Sequence, residues 1–239
     1  MKLKALALFL SLNAAFLCLS SAVEKKGEKK FYDPVIKTVE GWTIEYDPKL
    51  LSKENKAFGE EATKALANHL QRIKYILSKE KVVVLQKLPI RIDLQHELGN
   101  MQYHPGKGWL IDHGYDPRLE KRVHIPRAKS LLDRHTWAKH PYVILHELAH
   151  AYHDQVLSFD NKEIIDAYNS SEKEGLYERV LLYRGGKTRH YAHTNHKEFF
   201  AEMTESYLGV NDFYPFVRGE LKEHDPLTYA LMQKIWGKI

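Results

Sequence analysis

The run VILHELAHAY, from Val143 to Tyr152, holds the residue types and spacing best suited to chemistry in this chain. His146 and His150 are four apart, so on a helix both imidazoles leave the same face with about 6 Å between Cβ atoms. That separation lets two ring nitrogens grip one tetrahedral zinc ion. Glu147 lies about 100° around the helix, near enough to hold a proton beside the metal without binding it. The chemistry expected of this set is hydrolysis by activated water. The plainer alternative is a core helix with two satisfied histidines, since Val143, Ile144, Leu145, Leu148, Ala149 and Tyr152 would bury most of its girth. His96-Glu97-Leu98-Gly99-Asn100 starts the same way, but Asn100 stands where the second His belongs. Gly99 and the Gly- and Pro-containing run after it argue for a loop there.

A catalytic zinc site takes three protein ligands and leaves one position for water. A third His six residues beyond the second is closed, because Val156 occupies that place. His153 follows one turn further along the same stripe, too far to reach the same ion. The remaining route is a carboxylate from a second helix. Glu198 and Glu202 share a face of the segment KEFFAEMTE, while Phe199, Phe200, Met203 and Tyr207 supply its core side. Thr194 or Asn195 would cap it. Buried carboxylates are costly unless paired or metal-bound. One of these two would bind the ion, and the other would accept the N–H of a zinc-bound imidazole. A solvated helix face is the alternative for the pair.

HExxH followed by a carboxylate ligand on an ExxxE helix resembles the gluzincin family of zinc peptidases. The stretch YAHTNHKEFFAE, from Tyr191 to Glu202, is similar to the catalytic domain of anthrax toxin lethal factor. That domain has a Tyr, then Thr-Asn, then Glu-Phe-Phe-Ala-Glu, in the same register. Related predicted secreted bacterial metallopeptidases carry nearly the same two motifs. The resemblance spans about Val143 to Tyr207 and does not extend to the toxin's docking domains. It implies that Glu198 is the metal ligand, that Glu202 supports a ligand histidine, and that Tyr191 steadies the transition state. An ordinary half-buried tyrosine is the other reading of Tyr191. It also implies a zincin-like α+β fold, a small sheet packed on the HExxH helix and a second ExxxE helix. One Zn²⁺ and a peptide or protein substrate follow. His190, His193 and His196 crowd the same segment as surface or supporting groups that could titrate near pH 6 to 7.

The N-terminus reads as a secretory signal over residues 1–22. Lys2 and Lys4 precede an apolar run from Ala5 to Leu19, and Ser20-Ser21-Ala22 offers a cleavage site. That run is too short and wrongly flanked for a lasting membrane span. Cys18, the one cysteine, would leave with it, so no disulfide is expected. Roughly 217 of the 239 residues would remain, enough to bury a core without staples. The formal charge of +5 falls by two with Lys2 and Lys4. Without a basic stripe or an RNA-binding motif, nucleic acid is not an expected partner. Export to a periplasm or the cell exterior is. Nothing in the sequence indicates an oligomeric state.

Residues 23–40 read as a flexible, Lys-rich lead-in and 41–239 as the catalytic domain. Trp42–Tyr46 alternates as a strand, and a helix follows over about 52–79, with Ala62, Leu66, Leu70, Ile73 and Leu77 inward. Ile90, Ile92 and Leu94 suggest a second strand. Residues 96–121 read as a long loop whose Tyr103, Trp109 and Tyr115 either line a groove or plug the outer core. Arg122–Pro126 reads as a short edge strand able to pair with an extended substrate. Helices are expected over about 141–156, 160–170, 172–183, 196–208 and 226–236. The reading that follows is an exported zinc peptidase, hydrolysing peptide bonds. Its rivals are an amidase acting on a cell-wall peptide, a non-catalytic zinc- or peptide-binding relative, and a metal-free structural helix pair.

Overall fold

Trp42, Ile44 and Tyr46 alternate with Thr43 and Glu45, and Trp42–Tyr46 is a strand as that pattern predicts. The computed structural model describes residues 31–239. The expected signal over 1–22 and the first part of the lead-in lie outside the described residues. The rest of the lead-in is not flexible chain throughout. Val35–Val39 forms β1, antiparallel to Trp42–Tyr46 (β2), with Val39 opposite Trp42. The turn between them is Glu40-Gly41, at φ 53° and 96°. Two positive φ values in a two-residue turn match the right-handed twist of a hairpin, so the domain begins ahead of residue 41.

Ile90–Ile92 (β3), Gln102–Tyr103 (β4) and Val123–Ile125 (β5) complete a five-stranded sheet in the order β1-β2-β3-β5-β4. β2, β3 and β5 run parallel, and β4 is antiparallel to β5. The expected edge strand is therefore interior. All three β5 residues are buried, as befits a strand flanked on both sides, and β4 takes the edge. Register sets Ile44, Ile90 and Val123 on one face and Glu45, Arg91 and His124 on the other.

The first helix, Lys56–Ile76 (α1), buries Ala62, Leu66, Leu70 and Ile73, the expected stripe. It is shorter than expected because Ser78 starts a separate helix, Lys79–Leu85 (α2), and its hydroxyl accepts from Lys81 N–H. Residues 96–121 are not a structureless loop. They contain β4, Lys107–Asp112 (α3) and a 3₁₀ turn at Pro117–Leu119. These pieces are two to six residues long, too short for periodicity to show, and Gly106 gives α3 no side-chain cap. Arg134–Lys139 (α4) leads to Val143–Tyr152 (α5), which runs into one π-helical turn at His153–Leu157.

Asn161 caps Lys162–Glu174 (α6), and Gly175 ends it in the left-handed region at φ 67°. That stop removes the helix expected over 172–183. A hairpin of Val180–Leu181 (β6) and Lys187–Thr188 (β7) stands there instead, turning at Gly185-Gly186. His196–Leu208 (α7), Arg218–His224 (α8) and Pro226–Trp236 (α9) finish the chain. Every residue of α5 is buried, as is α7 from Phe199 onward. Leu148, Ala149, Phe199, Phe200 and Met203 belong to the same core as the apolar sheet face. The class is α+β, a small sheet beside an HExxH helix and an ExxxE helix. Among the described residues no helix is long and apolar enough to cross a membrane.

Candidate active site

Local capping and packing decide where the polar groups of α5 and α7 meet. Asn195 Oδ1 accepts the backbone N–H groups of Lys197 and Glu198, fixing the first turn of α7. The apolar residues of both helices fill the core, which leaves the histidines and carboxylates facing one another. His146 Nε2 and His150 Nε2 are 3.1 Å apart. Glu198 Oε2 lies 3.3 Å from the first and 3.2 Å from the second. Two donors held about 2.05 Å from a tetrahedral ion stand about 3.3 Å apart. The donor set His, His, Glu and its near-equilateral spacing therefore fit zinc. The same atoms also lie within hydrogen-bonding distance of one another. Burial works to raise the Glu198 pKa, but hydrogen bonds from His146 and His150 outweigh it and hold the carboxyl well below the usual range.

The outer side of His146 meets two further carboxylates. Nδ1 is 3.2 Å from Glu205 Oε2 and 3.6 Å from Glu202 Oε1. Glu205 is fully buried and also takes His140 Nε2 at 2.7 Å. Asn211 Nδ2 donates to Glu202 Oε2 at 2.8 Å. Burial and the Glu205 charge push the Glu202 pKa up. Burial acts the same way on Glu205, but His140 and His146 overcome it and hold Glu205 ionised. His146 itself is desolvated, yet Glu198 and Glu205 raise its pKa well above the ordinary value. Glu205 thus lies nearer to His146 Nδ1 than Glu202, the residue expected there. Glu198, Glu202 and Glu205 stand at i, i+4 and i+7, a spacing that puts all three on one helix face and could have revealed Glu205. No sequence signal marks His140 or Asn211.

Glu147 and Tyr191 border the same cavity, which measures about 820 Å³. Glu147 is largely buried, and its carboxylate has no hydrogen-bond or ion-pair partner among the described residues. Tyr191 opens the 3₁₀ turn Tyr191–Thr194, held by His190, whose Nδ1 accepts the Ala192 N–H at 3.0 Å. The Tyr191 ring is half exposed. Partial burial and the nearby Glu198 raise its pKa, so the hydroxyl keeps its proton and can donate. The segment 99–103, containing the edge strand β4, forms one wall of the cavity. Tyr103 belongs to that wall and is itself buried, with its hydroxyl donating to Asp154 at 2.6 Å. Trp109 is not on the wall; it stays half exposed and stacks on His113 and Tyr115.

The neighbouring histidines divide differently from the expectation. His190 and His193 are buried, not at the surface. Burial and the neighbouring His193 bring the His190 pKa down to about 3. Burial also lowers His193, against the pull of Glu178. His190 therefore provides no titration near pH 6 to 7. His190 Nδ1 lies 4.0 Å from Glu202, so it does border the supporting carboxylates. His153 is fully buried between Phe159 and Phe200 and stands apart from the three donors.

No family model matches this chain, and no curated protein matches it. Among solved structures the chain is similar to the PRO-PRO endopeptidase PPEP-2 from Paenibacillus alvei. The identity is 19%, the match covers 74% of this chain and 90% of that one, and the TM-score is 0.44.

Proposed function

We propose that this chain is an exported zinc-dependent peptidase that hydrolyses peptide bonds, with one zinc held by His146, His150 and Glu198. The observation that carries the reading is the triangle of donor atoms at 3.1 to 3.3 Å, beside a Glu147 that has no partner among the described residues and borders the same cavity. The gluzincin-like motifs support it, and so does the signal-like N-terminus. Bound zinc supplies a Lewis acid for the substrate carbonyl and lowers the pKa of water in its open position to about 7.

Glu147 accepts a proton from the attacking water as the C–O bond forms. It then carries that proton to the amide nitrogen as the C–N bond breaks. The Tyr191 hydroxyl donates to the carbonyl oxygen as negative charge gathers there, a contribution of about 3 kcal/mol for a well-placed donor. Glu205 and Glu202 orient the His146 ring through Nδ1. The β4 edge offers free backbone groups beside the cavity, to which an extended peptide can add as a further strand.

The test is cleavage of a diverse peptide library by the zinc-loaded chain beside its Glu147→Gln form, with zinc quantified in both. The expected result is turnover reduced about 10²- to 10⁴-fold in the variant with the zinc content unchanged. Equal cleavage by the two proteins would remove Glu147 from the mechanism. Zinc in both with cleavage by neither would favour a non-catalytic binding role.

A further inference from the structure

The polar face of the sheet carries a second group of metal-ligating side chains that the peptidase reading does not use. Asp93 follows β3, His124 lies on β5, and His96 opens the 96–121 excursion. One ligand atom from each lies within 4.8 Å of the others. Asp93 and His124 are buried and His96 is partly so. Asp93 Oδ2 and His124 Nε2 are 3.0 Å apart, close to the separation of about 3.3 Å for two ligands on one tetrahedral ion.

Two of the three, His124 and Asp93, also have the outer partner that a metal ligand requires. His124 Nδ1 faces His104 Nε2 at 3.2 Å, on the side away from Asp93. Asp93 Oδ1 takes the Tyr32 hydroxyl and lies 3.5 Å from Arg91 Nε. Glu45 and Asp116 balance the Arg91 charge at 3.1 and 3.6 Å. Gathering a carboxylate and three imidazoles beneath one excursion is expensive unless an ion or a complete hydrogen-bond network compensates.

We propose that Asp93, His96 and His124 form a second divalent-metal site, for zinc or a cation of similar preference, that clamps the 96–121 excursion to the sheet. Imidazole and carboxylate ligands together select that class of metal over Ca²⁺ or Mg²⁺, which prefer oxygen alone. Loading breaks the His124–Asp93 hydrogen bond and the bond from the Leu98 amide to His96 Nδ1, now 3.1 Å. The excursion carries β4, so this ion would hold one wall of the catalytic cavity from behind the sheet.

The experiment is metal stoichiometry after stripping the full chain, reloading it with excess Zn²⁺ and removing free ion. The parent should retain two ions per chain, His96→Gln one, and His150→Ala one. His150→Ala touches only the catalytic triangle, so the two sites fail or hold independently. A competition titration of the stripped parent against a chromophoric chelator needs no variant and should show two equivalents taken up. One equivalent in the parent that a folded His96→Gln keeps, or two retained by a folded His96→Gln, would overturn the proposal and leave the cluster a hydrogen-bond network only.

Discussion

Glu205 shows how far the chemistry of the site extends beyond HExxH. Its carboxylate joins His140 to His146 Nδ1 from a fully buried position. A metal-bound imidazole needs that outer hydrogen bond to keep its tautomer and orientation. Replacing Glu205 with Gln keeps the shape and removes the charge. Zinc affinity should then fall about 10- to 100-fold, read by chelator competition. An unchanged affinity would show that Glu202, at 3.6 Å, orients the ring alone. The meeting of His146 and His150 on one helix face was legible in the sequence because four-residue spacing on a helix is a geometric statement. Glu205 was legible in principle from its i+7 place. His140 and Asn211 were not, because they reach α7 through tertiary packing that no local period encodes.

At the scale of elements, α7 depends on its first turn. Asn195 satisfies two of the backbone N–H groups that a helix start leaves orphaned, and one belongs to Glu198. Asn195→Ala should cost about 1 kcal/mol, read as a lower denaturation midpoint with an unchanged slope. The same variant should bind zinc less tightly, because Glu198 sits in the turn that frays. A loss of stability with full zinc affinity would show that packing of Phe199 and Phe200 alone positions the ligand. Both α5 and α7 were readable from their apolar spacing, and α7 also from its cap. The sheet was less so. β1 hides behind lysines and is announced only by Glu40-Gly41, and β4 is two residues long. Strand order depends on which segments meet in space, so the exchange of β5 for β4 at the edge left no trace in the sequence.

For the whole molecule, metal binding and folding share one free energy. An ion that binds only the folded chain stabilises it by about 4 kcal/mol at a thousandfold excess over Kd. The pH dependence follows from His146. Its pKa in the metal-free fold is raised, so its ion pairs stabilise that fold fully below the unfolded value of about 6.5. They weaken as pH climbs through the raised value. Zinc requires the neutral ring, so its affinity grows over the same range. Glu198 is shifted the other way, and its contribution is lost only as pH falls through its depressed value, below this range. The difference in Tm between zinc-loaded and stripped protein should therefore widen from pH 6 to pH 8. A constant difference would mean that the ion does not compete with the His146 proton.

The most direct measurement is an anomalous difference map at the zinc edge from crystals of the zinc-loaded chain. The account predicts a peak about 2 Å from each of His146 Nε2, His150 Nε2 and Glu198 Oε2. Density for zinc elsewhere with none inside that triangle would contradict it.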